Sequence, residues 1–187
     1  LTNGIQQEAK QALYEANADV IKMETYVATL DARTTIQCAS LDGSTHVRGQ
    51  GPIPPLHFRC RSLRVPYVKP ENLGGRPFDP TTESQLLREY SKQADIQSPG
   101  NRSELPRGHK TSFDDFARKR KRELVGTLPA KTTYNDWLKD QSVEFQDQVL
   151  GATRAKMFRD GKVTLDKFIA RDGDVLTLEQ LAAKGLE

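Results

Sequence analysis

Between Lys69 and Arg107 the sequence is broken by Pro70, Gly74, Gly75, Pro77, Pro80, Pro99, Gly100 and Pro106, and only Glu83 to Asp95 has helical spacing. Proline fixes φ and lacks an amide hydrogen, and glycine carries extra backbone freedom, so such a stretch is a poor source of sheet interior or long helix. A connection this long with so little regular structure is unusual inside a compact domain and common in chains that wrap along a neighbour. The sequence is therefore read in three parts: residues 1–68, an extended arm at 69–107 that orders in an assembly, and residues 108–187.

The first part has the pattern of a small α+β unit. Ile5, Ala9, Ala12, Leu13 and Ala16 recur at helical spacing, and Thr25 to Leu30 is rich in β-formers. Thr34 or Thr35 can cap a short helix running to Leu41, with Asp42-Gly43 as its stop. Thr45 to Arg48 and Ser62 to Tyr67 read as strands, the second at an edge because Pro66 cannot donate to a ladder. The third part reads as a string of short helices. Ser112, Thr133, Ser142, Thr164 and Thr177 stand at starts, and Gly151, Gly161, Gly173 and Gly185 at ends. The fold class expected is α+β: a small sheet-containing domain with flanking helices, the arm, and an α-helical C-terminal subdomain.

Hydrophobic residues make up 36% of the chain, below the usual ~45–50%, so the expected core is modest. The formal charge of +3 does not by itself require a nucleic-acid partner. No apolar run approaches the ~20 residues of a membrane span, and no membrane partner is expected. The chain opens without Met at a helical pattern and is read as part of a longer polypeptide. Two cysteines do not make a disulfide framework.

The chemistry is concentrated between Leu30 and Arg61. Asp31, Arg33, Thr34, Cys38, Asp42 and Gly43 are followed, after a gap, by His57, Cys60 and Arg61. Cys38, His57 and Cys60 are competent Zn²⁺ ligands, and His57-x-x-Cys60 has a metal-like spacing. Three ligands are not four, and Asp31, Asp42 or water would have to complete the site. Two other readings stand beside it: a buried cysteine pair with His57 hydrogen-bonded alongside, and a disulfide formed in an oxidising medium. A thiolate–imidazole pair of Cys38 and His57, with Asp31, Arg33 and Asp42 around a phosphate, would be the enzymatic alternative. The spacing demands no such role, and P-loop, Gly-x-Gly-x-x-Gly, His-Glu-x-x-His and Gly-x-Ser-x-Gly motifs are all missing from the sequence. The expectation is a non-enzyme that needs no cofactor, zinc being the one candidate. Arg33 is expected to be a buried or half-buried fork on Asp31 or Asp42.

The series Arg33-Thr34, Cys38, Leu41-Asp42-Gly43 and Pro55-Leu56-His57-x-x-Cys60-Arg61 closely resembles the Mu F-like head morphogenesis family of phage minor capsid proteins. The helix before it, with Thr2-Asn3 at its start, is similar to the family's, as is the stretch from Asp136-Trp137 through Gly151 to Lys162. The resemblance covers most of the chain and is weakest from Glu71 to Arg107. Residues 1–68 would then be the C-terminal part of a Mu F-like domain. Many relatives carry Arg-Thr-Cys-x-x-Cys, giving three cysteines and a histidine; here Thr35 stands where the first of those cysteines would be, which weakens the case for a closed zinc site. The resemblance implies a head-assembly role at or near the portal vertex of a tailed bacteriophage, in the virion and, during assembly, in the host cytoplasm. It implies portal protein or major capsid protein as partner and contact with packaged double-stranded DNA.

Arg118-Lys119-Arg120-Lys121-Arg122 is five successive cations on an expected helix. Five successive helical positions surround the axis, so they cannot all face one partner. A solvated helix is the plain reading; contact with DNA phosphate or an acidic protein face is the functional one. Phe113 and Phe116 on that helix read as packing residues, with no aromatic platform interleaved among the cations. Trp137, Phe145 and Phe158 are read as core residues or as anchors that dock the tail on portal or capsid protein.

Overall fold

The computed structural model describes residues 2–69 and 74–186. Its elements are α1 (Thr2–Ala16), β1 (Met23–Val27), α2 (Ile36–Leu41), β2 (Thr45–Val47), β3 (Leu63–Pro66), β4 (Gly75–Phe78), α3 (Glu83–Ala94), α4 (Arg107–Leu124), β5 (Gly126–Pro129), α5 (Tyr134–Lys139), α6 (Val143–Leu150), α7 (Ala152–Arg159) and α8 (Leu178–Ala183). Short 3-10 turns lie at Arg102–Glu104 and Leu165–Phe168. The class is α+β.

A three-stranded antiparallel sheet of order β2-β1-β3 forms the N-terminal part. Successive side chains of a strand point to opposite faces, and here Glu24 and Tyr26 point inward and are buried. Tyr26 stands opposite Arg64, and Glu24 opposite His46 on one side and Pro66 on the other. Pro66 closes an edge strand, where its missing amide hydrogen is tolerated.

The stretch read as an arm carries more structure than its proline and glycine content suggests. Pro70, one of its prolines, lies outside the described residues. β4 pairs antiparallel with β5, with Arg76 opposite Leu128 and Pro77 opposite Thr127. The Thr82 hydroxyl caps α3 by accepting from the Gln85 amide at 3.2 Å. The helix then packs on α4 through Leu86, Leu87, Tyr90, Leu105 and Phe113. Pro77 lies within β4, and three other prolines fall at joints: Pro80 between β4 and α3, Pro99 after α3, and Pro106 at the start of α4, which opens at Arg107 and not at Ser112.

The C-terminal helices are capped by Thr133, Ser142 and Thr177, whose hydroxyls accept from the amides of Asp136, Phe145 and Gln180. Their apolar faces converge on Tyr134, Trp137, Leu138, Phe145, Phe158, Leu165 and Phe168, and the same core takes in Leu30 and Ala39 of the N-terminal part. Trp137 sits edge-on to Tyr134 and Phe145 with centroids 5.1 and 5.3 Å away. Trp137, Phe145 and Phe158 are only 2%, 2% and 4% exposed. The docking role expected of them is therefore corrected: their apolar surface is already covered by this chain's own helices.

Candidate metal centre

α2 is the partition between the two parts of the fold. Thr35 starts it, its hydroxyl accepting from the Cys38 amide at 3.3 Å. Ala39 faces the helical core, whereas Cys38 faces the sheet beside Tyr26, Ala28 and Cys60. The helix stops at Asp42, and Gly43 follows with φ +80°. A Cβ there would meet Thr133 Cγ2 at 3.0 Å in a backbone region that side chains avoid, so glycine is required on both counts.

Asp42 joins three segments that lie far apart in sequence. One carboxylate oxygen accepts from the Ala28 amide at 2.7 Å and the other from the Tyr134 amide at 2.6 Å. Arg76 closes the set with a bidentate pair, 2.8 Å on each oxygen. Asp31 is a second hub. Arg61 grips both of its oxygens, Thr34 donates to it, and Tyr134 Oη donates to its backbone carbonyl at 2.8 Å. Burial alone would raise the Asp31 carboxyl, but the Arg61 guanidinium and the Arg33 amide outweigh it and hold the group below the usual carboxylate range. The fork expected of Arg33 belongs to Arg61 and Arg76 instead. The Arg33 side chain is 72% exposed and approaches Asp31 only at 3.7 Å, while Arg61 takes both oxygens of that carboxylate.

Around Cys38 the three sulfur and imidazole groups meet. His57 Nε2 lies 3.2 Å from Cys38 Sγ, and Cys60 Sγ lies 3.7 Å from it. Both cysteines are free and buried. His57 Nδ1 is 2.9 Å from the Phe58 carbonyl, which can only accept. Nδ1 therefore donates to that carbonyl, and Nε2 is the ring atom turned toward Cys38 Sγ. The arrangement of a ring N–H on a backbone carbonyl, with the other nitrogen free, is the one metal-ligating histidines use. Tetrahedral zinc with bonds of ~2.3 Å to sulfur and ~2.0–2.1 Å to nitrogen separates two thiolates by about 3.8 Å and thiolate from imidazole by about 3.5 Å. The two distances from Cys38 are close to that spacing, all three donor atoms lie within 4.8 Å of one another, and the trio could hold a metal ion.

The thiols are not alike. Burial pushes Cys38 up, against hydrogen bonds from Ser62, Tyr26 and Thr35. Burial acts the same way on Cys60, but backbone amides at Leu56 and Ser62 and the Cys38 thiol stabilise its anion and hold it below the ordinary thiol range. Tyr26 Oη donates to Cys38 Sγ at 3.2 Å; burial, and then that hydrogen bond, raise its own pKa. Thr35 Oγ1 lies 3.1 Å from His57 Nε2 on the exposed side of the trio. The fourth vertex thus falls beside a hydroxyl and an open cleft. Neither Asp31 nor Asp42 is in the cluster, their carboxylates being fully used by arginines and amides.

Sequence reasoning missed Arg76, Tyr26 and Tyr134. Arg76 sits between a glycine and a proline, where no strand pattern shows. Tyr134 directly follows the cap Thr133, and its amide, free in the first turn of α5, is the donor Asp42 needs. The basic run of α4 does not form one surface. Arg120 is paired with Glu89 and Glu123, Lys121 with Asp79 at 3.4 Å, and Arg118 with Asp115 at 3.1 Å. Lys119 and Arg122 are exposed and carry no ion pair among the described residues. No described helix is long and apolar enough to cross a membrane.

Comparison of the chain with protein-family models, with curated proteins and with solved structures gives no match.

Proposed function

We propose that this chain is a minor capsid or head-morphogenesis protein of a tailed bacteriophage, acting by binding at or near the portal vertex, with Cys38, His57 and Cys60 holding a structural zinc ion. Its partners in this reading are portal or major capsid protein, with Lys119 and Arg122 of α4 as the cations free to meet packaged double-stranded DNA. The observation that carries the reading is the convergence of the residues behind the Mu F-like resemblance. Asp31, Thr34, Cys38, Asp42, Gly43, His57, Cys60 and Arg61 all serve one tightly bonded junction between sheet and helices. Zinc there would tie the His57–Cys60 loop to α2 and stabilise the folded state.

The site's chemistry favours binding over catalysis. Cys38 is 1% exposed, too deep for an attacking nucleophile. The cleft at the trio's open side is lined by no carboxylate among the described residues, so a metal-bound water would have no acid or base beside it. The test is to locate the chain in purified phage particles by quantitative mass spectrometry and reconstruction of the portal vertex. Density at the portal in low copy number is the expected result. Absence from both procapsids and mature particles would overturn the reading, and the enzyme or zinc-dependent DNA-binding alternative would take its place.

A further inference from the structure

His57 and Cys60 both turn inward to Cys38, so the two residues between them are presented outward. Phe58 is 87% exposed, while the other six phenylalanines of the chain are buried or half-buried. It belongs to no apolar cluster. Among the described residues its one ring contact is with Arg59, whose guanidinium carbon stands 5.4 Å from the ring centroid. Beside this pair runs a cleft of about 750 Å³ whose lining includes Arg33, Thr35, Phe58, Arg59 and Arg61. Three guanidinium groups border it against a single nearby carboxylate, Asp31, which Arg61 already occupies in bidentate fashion. Arg59 has no anionic partner among the described residues, and Arg33 extends into solvent.

The geometry points to this cleft as a binding site for single-stranded nucleic acid, with an unpaired base stacked on Phe58 and backbone phosphates held by Arg33 and Arg59. A lone projecting aromatic among cations suits a strand, since every base offers a π-face and stacking tolerates any sequence. The cleft lining carries three arginines and no carboxylate among the described residues, which suits a polyanion. A free phosphate would leave Phe58 without a role, and a duplex keeps its bases stacked on one another. The inference does not rest on the head-protein reading: a chain absent from particles would leave it standing.

Fluorescence anisotropy with the purified chain tests it, using a labelled oligo-dT strand and the same strand annealed to oligo-dA. The strand should bind more tightly than the duplex. Phe58→Leu should weaken strand binding by roughly tenfold or more, and Phe58→Trp should keep it. Arg33→Gln and Arg59→Asn should each lower the slope of log affinity against log salt by about 0.7. Asn is chosen because Arg59 has φ +59°, a region asparagine tolerates. All three side chains are at the surface, so circular dichroism should be unchanged. The measurements are made in the Lys119→Gln, Arg122→Gln background, which removes the α4 cations proposed to meet duplex DNA, and strand binding should persist there. Lack of strand binding in that background, equal binding by the duplex there, or full affinity in Phe58→Leu would each overturn the assignment.

Discussion

Arg76 and Asp42 meet through two hydrogen bonds of 2.8 Å each, and the Asp42 side chain is wholly buried. The pair ties β4 to the end of α2, and the same carboxylate holds the amides of Ala28 and Tyr134. Removing one partner of a buried pair leaves the other charge without compensation, at a cost of about 3–5 kcal/mol. Asp42→Ala should reach the upper part of that range because it also leaves two amides unpaired. Urea unfolding of Asp42→Ala and Arg76→Ala is the check. A loss well below 1 kcal/mol in both would mean that water replaces the pair and that Asp42 is not a hub.

Glu24 and Arg64 form the most deeply buried ion pair of the sheet, 2.7 Å apart with both side chains fully enclosed. Arg64 also donates to the carbonyls of Gln50 and Pro52 at 3.0 Å, so it anchors the loop before β3 as well as the strand. Glu24→Ala should cost about 3–5 kcal/mol, whereas a packed Glu24→Leu, Arg64→Met double variant should fall much closer to the native value. A double-mutant cycle separates the two effects. If the double variant is as unstable as Glu24→Ala, the pair stabilises in its own right.

Legibility in the sequence followed how local each determinant is. The short helix at Thr35, the stop at Asp42-Gly43 and the caps at Thr133, Ser142 and Thr177 are written within a few residues, and all were readable. So was the meeting of Cys38, His57 and Cys60, because three ligands of two types crowd a short segment. The partner of Asp42 was not readable, since Arg76 comes from a ribbon whose other strand lies some fifty residues on. The fate of Trp137, Phe145 and Phe158 was open for the same reason. Helical spacing marks an apolar face but does not say whether the chain itself or a partner covers it, and here the C-terminal helices cover one another, with Leu30 and Ala39 joining the same core. The exposure of Phe58 was not readable either, because it follows from His57 and Cys60 both turning inward to Cys38, a contact made across some twenty residues of chain.

Asp31 carries an acid-dependent share of stability. Burial raises its carboxyl, but Arg61 and the Arg33 amide more than offset this and hold it below its ordinary value. A group depressed in the folded state contributes stability that is present above its unfolded pKa and is lost as pH falls through the lower folded one. Arg61→Gln should therefore be less stable than the native chain near neutral pH and lose less on acidification from about pH 5 to pH 2. Unfolding midpoints across that range give the answer. Parallel curves for the two proteins would show that the Asp31–Arg61 bond is not what acid breaks.

Thr35 stands at the open vertex of the sulfur–imidazole trio, 3.1 Å from His57 Nε2, and also caps α2 through the Cys38 amide. Those two roles make opposite predictions for Thr35→Cys. Without metal, a thiol is a poorer cap than a hydroxyl, and the variant should lose about 0.5–2 kcal/mol. With zinc, a fourth ligand closes the tetrahedron, and the variant should gain stability over the native chain at the same metal concentration. Cobalt substitution reports the coordination directly, through thiolate charge-transfer bands and strong visible absorption from a tetrahedral ion. The native chain should bind cobalt with two thiolates, Thr35→Cys with three and more tightly, and Cys60→Ser and His57→Ala weakly. If Thr35→Cys binds cobalt no better than the native chain, residue 35 does not occupy the fourth vertex. If the native chain also shows no thiolate band, the trio is a metal-free hydrogen-bonded cluster that holds the His57–Cys60 loop against α2 by itself.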